Sequence, residues 1–187
     1  FAVSNVNFII KAVKVTSPNG SETWTVGEQH NIIWTYAGTI PNVKLEYSTD
    51  GGNSYSTITN SVATSNLSYP WTVSGDAIGS QVRIRVSSIS NPNIQDSSNA
   101  NFTINGVKLT APDSGTWNAG TSQTITWTSQ GTIGNVKLDY STDAGATYPN
   151  TIIASTSNNG TYAWTVPTQA VNNQARFRVS TVSDPTI

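Results

Sequence analysis

Ten carboxylates, a single histidine and no cysteine are the groups with which this 187-residue chain could do chemistry. Hydrolysis by paired acids needs two carboxyl groups converging across a cleft at about 5 to 10 Å. Here the acids are scattered along turn sequences and between apolar strand residues, as at Glu46, Asp50, Asp139 and Asp143. His30 has no histidine counterpart in the second half of the chain, where Ser122 or Gln123 stands, so a Ser-His-Asp triad or a histidine metal site finds no support. Oxygen ligands for calcium exist at Asp50, Asp113 and Asp143, but without the spacing of a calcium loop. The absence of cysteine removes disulfides and thiolate ligands alike. The expectation is a chain with no catalytic, cofactor-binding or metal-ligating residues, and not an enzyme.

Two motifs remain. Ser48-Thr-Asp50-Gly-Gly52-Asn-Ser-Tyr55 and Ser141-Thr-Asp143-Ala-Gly145-Ala-Thr-Tyr148 resemble the Asp-box of sialidase-type propellers, a hairpin motif. Its carboxylate accepts backbone N–H groups in the turn, glycine supplies φ > 0, and the aromatic ring folds back over the hairpin. A sialidase would also need several blades and an arginine cluster, which repeats of this length do not hold, so these motifs are expected to be structural.

The elements that position these turns come in two copies. Trp24-Thr-Val-Gly27 recurs as Trp117-Asn-Ala-Gly120, Ile33-Trp34-Thr35 as Thr126-Trp127-Thr128, and Val43-Lys-Leu-Glu-Tyr-Ser-Thr-Asp50 as Val136-Lys-Leu-Asp-Tyr-Ser-Thr-Asp143, each offset by 93 residues. Apolar residues alternate with polar ones over short runs (Val43, Leu45, Tyr47; Tyr69, Trp71, Val73; Val82, Ile84, Val86), the period of half-buried strands. About seven short strands in about 93 residues predict two tandem immunoglobulin-like β-sandwich domains in an all-β chain. Trp34, Trp71, Trp127 and Trp164 are expected to fill the space between the sheets. Arg83 and Arg85, with Lys44 and Glu46, are expected on the outer face as an exposed charge ladder, each pair contributing about 0 to 1 kcal/mol. The same holds for Lys137, Asp139, Arg176 and Arg178 in the second copy.

The pattern of Pro18, Trp24, Gly27, Ile33-Trp34 and Val43-Lys-Leu-Glu-Tyr resembles the Ser/Thr-rich immunoglobulin-like domains of fungal cell-wall β-glucan assembly proteins and their tandem relatives in bacterial and archaeal secreted proteins. Such modules serve as spacers, adhesive units and accessories of secreted enzymes. The resemblance implies the sandwich fold and supplies no catalytic residues.

A net charge of −1 without a basic stripe argues against a nucleic-acid partner. No apolar run reaches the roughly 20 residues of a membrane span, so no membrane insertion is expected. Charged residues at 10% and abundant Ser, Thr, Asn and Gly fit an extracellular or cell-surface chain. Four sequons, at Asn19, Asn66, Asn101 and Asn159, are possible glycan acceptors.

The two repeats are out of phase with the chain. The first continues past Ile94 through Gln95-Asp-Ser-Ser-Asn-Ala-Asn-Phe-Thr-Ile104, a final strand, whereas the second reaches Ile187, the equivalent of Ile94. Phe1-Ala-Val-Ser-Asn-Val-Asn-Phe-Ile-Ile10 matches the missing piece, with Ser4, Asn5, Asn7, Phe8 and Ile10 against Ser98, Asn99, Asn101, Phe102 and Ile104. The expected organisation is therefore residues 1–10 as a strand completing a neighbouring domain, 11–104 as the first domain, and 105–187 as the second, lacking its final strand. Val6, Phe8 and Ile10 are the expected donor residues, and Ala175, Phe177 and Val179 the edge of the acceptor groove. Strand donation between chains, a longer covalent array, and folding back within one chain are the three ways to fill that groove. Linkers of two residues, Lys11-Ala12 and Asn105-Gly106, predict stiff joints. Function is expected to be structural: an extracellular filament or stalk of copies joined head to tail. A carbohydrate-binding or adhesive accessory module, with cell-surface glycans as partners, is the alternative.

Overall fold

In the run Val43-Lys-Leu-Glu-Tyr, Val43 and Leu45 point to one face, and the computed structural model places both in the core of an antiparallel sandwich. The structure describes residues 1–3, 5–168, 170 and 172–184. It is all-β, with 52% of residues in strands and 3% in helical turns. Two compact units divide the chain: Phe1–Trp24 with Glu28–Val73 and Gly79–Thr103, and Thr25–Gly27 with Ser74–Ile78 and Ile104–Ile187.

The first unit is built from β1 (Ala12–Ser17), β2 (Thr23–Thr25), β3 (Gln29–Ala37), β4 (Asn42–Ser48), β5 (Ser56–Ala63), β6 (Ser68–Thr72), β7 (Gly79–Ser88), β8 (Gln95–Ser97) and the start of β9 (Phe102–Ala111). One sheet runs β1-β3-β6; the other runs β9-β7-β4-β5, with β8 also on β7 and β2 on β9. Val15, Ile32, Trp34, Val43, Leu45, Val82, Ile84 and Phe102 are almost completely buried. Trp34 is the largest of these. Its indole N–H donates to the Thr64 carbonyl at 3.0 Å, so the ring is buried without leaving its polar group unpaired.

In the second unit the rest of β9 pairs with β10 (Ser122–Gln130), which pairs in turn with β13 (Thr161–Thr165). The other sheet is β12 (Asn150–Thr156), β11 (Val136–Ser141) and β14 (Arg176–Thr181), in that order. Val107, Ile125, Trp127, Val136, Leu138 and Val179 form the core. Trp127 repeats Trp34, its indole donating to Asn158 Oδ1 at 2.7 Å.

Two expectations need correction. Trp164 was expected to fill the core as Trp71 does, yet it is only half-buried, because no strand among the described residues covers it. The acids of the charge ladders are not exposed either, since Glu46 and Asp139 have 5% and 0% of their surface accessible, whereas Arg176 is exposed as expected. Each carboxylate is closed in by two cations and an aromatic cap. Glu46 meets Lys44 and Arg85 at 2.7 Å, and Asp139 meets Lys137 at 2.9 Å and Arg178 at 3.0 Å. The Asp-box tyrosines lie over the guanidinium groups, Tyr55 at 3.8 Å from Arg85 and Tyr148 at 4.5 Å from Arg178.

Burial alone would raise the pKa of both carboxylates, but hydrogen bonds from the lysine and then the arginine outweigh it and hold them below the ordinary range. Asp139 is one methylene shorter than Glu46. Arg178 therefore reaches it through Nη2, leaving Nε without a partner, whereas Arg85 Nε donates to Glu46 at 2.9 Å. Asp139→Ala is expected to destabilise the second unit by about 3 kcal/mol, the low end for breaking a buried ion pair, because both cations can turn toward water. Urea unfolding of the variant measures this.

Candidate functional site: an open strand groove

In the first unit the segment 95–104 closes the sandwich. Arg85, Val86 and Ser87 of β7 pair with Ser97, Asp96 and Gln95 of β8. Ser98 is buried; its N–H donates to the Ile84 carbonyl at 2.9 Å and its hydroxyl to the Pro18 carbonyl at 2.8 Å. The Phe102 ring then packs edge-on against Trp24, with centroids 5.0 Å apart, and Trp24 stands 6.2 Å from Trp71. Two side-chain bonds fix the position along the strand: Arg83 Nε donates to Asn101 Oδ1 at 2.7 Å, and Asn99 N–H donates to Asn19 Oδ1 at 2.8 Å.

The equivalent place in the second unit is open. β14 has β11 on one side, and among the described residues no strand lies along the other. The residues that correspond to buried Trp24, Trp71, Val82 and Ile84 are Trp117, Trp164, Ala175 and Phe177. The first, second and fourth are half-buried, and Ala175 is exposed just before β14. They border a groove of about 850 Å³ lined by Leu109, Trp117, Tyr140, Trp164, Arg176 and Phe177. Trp117 and Phe177 are 5.1 Å apart, and Trp164 and Phe177 5.7 Å, so the aromatic cluster is assembled but uncovered. Of the expected edge residues, Phe177 lines this groove and Val179 is buried in the core.

The N-terminal segment shows the opposite imbalance. Residues 1–3 and 5–11 carry no strand. Val6, Phe8 and Ile10 are 76%, 74% and 68% exposed, so this short segment carries its large apolar side chains on the surface. Among the described residues, no strand of the same chain pairs with this segment. Ser4 and Ile187, which entered the comparison of the two repeats, lie outside the described residues.

Asp50, Asp143, Glu22, Asp96 and His30 have structural partners. Asp50 accepts the N–H groups of Asn53 and Ser54, and Asp143 that of Thr147, while Ser48 and Ser141 bind within the same turns. Glu22 accepts the Asn19 and Gly20 N–H groups at 2.7 Å each, and Asp96 accepts Val15 N–H at 2.9 Å. His30 sits on β3, stacked on Trp24 with centroids 4.4 Å apart and its Nε2 2.9 Å from Glu28. Among the described residues no three His, Asp or Glu side chains gather as metal ligands. Asn66 and Asn159 stand exposed in equivalent turns, whereas Asn19 and Asn101 are half-buried with their carbonyl oxygens engaged.

The Asp143 carboxylate is held at about 2, below its ordinary 3.8, by hydrogen bonds from the Ser141 and Thr147 hydroxyls and the Thr147 N–H. A group whose pKa is lowered by folding stabilises the fold above its unfolded value and loses that contribution as pH falls through the folded one. Thermal stability is therefore expected to drop as pH goes from about 4 to about 2, and Asp143→Asn to flatten the slope, as read by calorimetry across that window.

Both repeats place the buried acid two residues after a lysine and opposite an arginine.

No family model matches the chain, and no curated protein matches it either. Among solved structures it is similar to the fibronectin(III)-like modules of Clostridium thermocellum CbhA, at 21% identity over 82% of this chain and 78% of that chain, with a TM-score of 0.32.

Proposed function

We propose that the chain is a non-catalytic structural module of an extracellular or cell-surface assembly, in which the second unit of one molecule is completed by the N-terminal strand of the next. The observation that carries this reading is the pairing of an open aromatic groove with an exposed apolar segment whose sequence matches the segment 95–104 that closes the first unit. A donated strand supplies main-chain hydrogen bonds along an open edge and side chains for the pockets beneath it. A surface that receives on one unit and donates from another is heterologous, so repetition gives an open filament. Catalysis is not assigned to the chain: Glu22, Glu46, Asp50, Asp96, Asp139 and Asp143 are engaged in turns, ion triads and main-chain contacts that hold the sandwich together.

Negative-stain imaging of the chain beside one lacking residues 1–10 tests this. Filaments or head-to-tail oligomers from the first and monomers from the second are expected. A chain that stays monomeric at high concentration would overturn strand donation and leave a covalent array as the way such modules are joined.

The uncovered Trp117 and Trp164 favour one second reading, a glycan-binding groove, since indole faces stack on sugar rings. Glycan-array binding lost on Trp117→Ala, by a chain that does not self-associate, would establish it.

A further inference from the structure

Resting on the strand-donation reading, we infer that the groove of the second unit recognises the segment Asn5–Ile10 of a second copy in a single register, set by Phe8 in the aromatic slot and by a hydrogen bond between Asn7 and Arg176. The first unit supplies the template. There Phe102 fills the slot beside Trp24, Ile104 is fully buried, and Arg83 Nε donates to Asn101 Oδ1 at 2.7 Å. Phe8, Ile10 and Asn7 are the residues at those three places in the N-terminal segment, and Arg176 is the residue at the place of Arg83. Arg176 begins β14 and is exposed, at the mouth of the groove.

The template also separates anchors from bystanders. Ala100, which corresponds to Val6, is exposed in the first unit, so in this register burial falls on Phe8 and Ile10 rather than on Val6. The side-chain contacts of Asp96 and Ser97, to Val15 N–H and the Tyr55 hydroxyl, have no equivalents at Ala2 and Val3. Selectivity therefore concentrates at the C-terminal half of the donated strand. A shift by one residue would turn Phe8 out of the slot and move Asn7 away from Arg176 together, since successive strand side chains point to opposite faces.

The test uses the full chain carrying Phe8→Ala and Ile10→Ala, which keeps the groove and disables the donor, titrated with a synthetic peptide of residues 1–10 and read by tryptophan fluorescence and calorimetry. The unmodified peptide is expected to bind. Phe8→Ala in the peptide should weaken binding roughly 100-fold, and Asn7→Ala roughly tenfold, as for a hydrogen bond to a charged group. With Arg176→Ala in the chain, Asn7→Ala should have no further effect. An Asn7→Asp peptide should bind the unmodified groove more tightly and with greater salt sensitivity, which tests the contact without any change to β14. Binding without coupling between positions 7 and 176, and without the Asn7→Asp gain, would overturn the register while leaving strand donation standing. No binding by the unmodified peptide would overturn both.

Discussion

Replacing Phe8 and Ile10 together by alanine is expected to abolish association between chains while leaving the unfolding of the isolated chain unchanged. In the single molecule these side chains are 74% and 68% exposed, so truncating them removes little that the fold depends on. In the assembled state each would cover aromatic surface in the groove and contribute about 1.5–3 kcal/mol, so losing both weakens the contact by roughly two to four orders of magnitude. Sedimentation velocity resolves the association, and urea unfolding of the monomer provides the control. A variant that assembled normally would show that the groove is filled by something else.

Phe102→Ala is expected to do the reverse. Phe102 is 1% exposed and packs against Trp24, so its removal leaves a cavity inside the first unit and costs about 3–5 kcal/mol. Against a domain stability of about 5–15 kcal/mol, that brings the first unit near unfolding. Trp24 and Trp71 would acquire the half-exposed character of Trp117 and Trp164, visible as a red-shifted fluorescence. A loss below about 1 kcal/mol would mean that the segment 95–104, which the sequence predicts as one strand and the structure divides into β8 and the start of β9, is held by its main-chain bonds alone, and Phe8 could not then be the anchor of a donated segment. Phe8 and Phe102 are matching residues of which one is exposed and the other buried.

Much of this was legible in the sequence for one reason: the repeat lets each half interpret the other. Alternation placed Val43 and Leu45 with Val136 and Leu138 in the core, and the indoles of Trp34 and Trp127 beside them. Comparing Phe1–Ile10 with Gln95–Ile104 pointed to the open edge. Alternation assigns a side chain to a face but does not say what covers that face. Glu46 and Asp139 were read as exposed because Tyr55 and Tyr148 come from the Asp-box hairpin and reach back over Arg85 and Arg178, a contact that strand periodicity does not encode. Trp164 was read as core because Trp71 is; the difference lies in the covering strand, which the local sequence around Trp164 does not contain. Trp117 and Tyr140 were missed as groove residues for the same reason.

Intermolecular disulfide trapping reads strand donation between copies without background, because the chain has no cysteine of its own. In the first unit Gln95 pairs with Ser87. The matching pair is Phe1 of one molecule and Ser180 of another, which an antiparallel ladder would hold within disulfide reach. Chains carrying only Phe1→Cys and chains carrying only Ser180→Cys are mixed and oxidised. A mixed disulfide dimer well above either homodimer, lost when Phe8→Ala and Ile10→Ala are added to the Phe1→Cys chain, is the predicted result. Absence of that mixed dimer, with both chains folded and both thiols reactive, would contradict strand donation between copies.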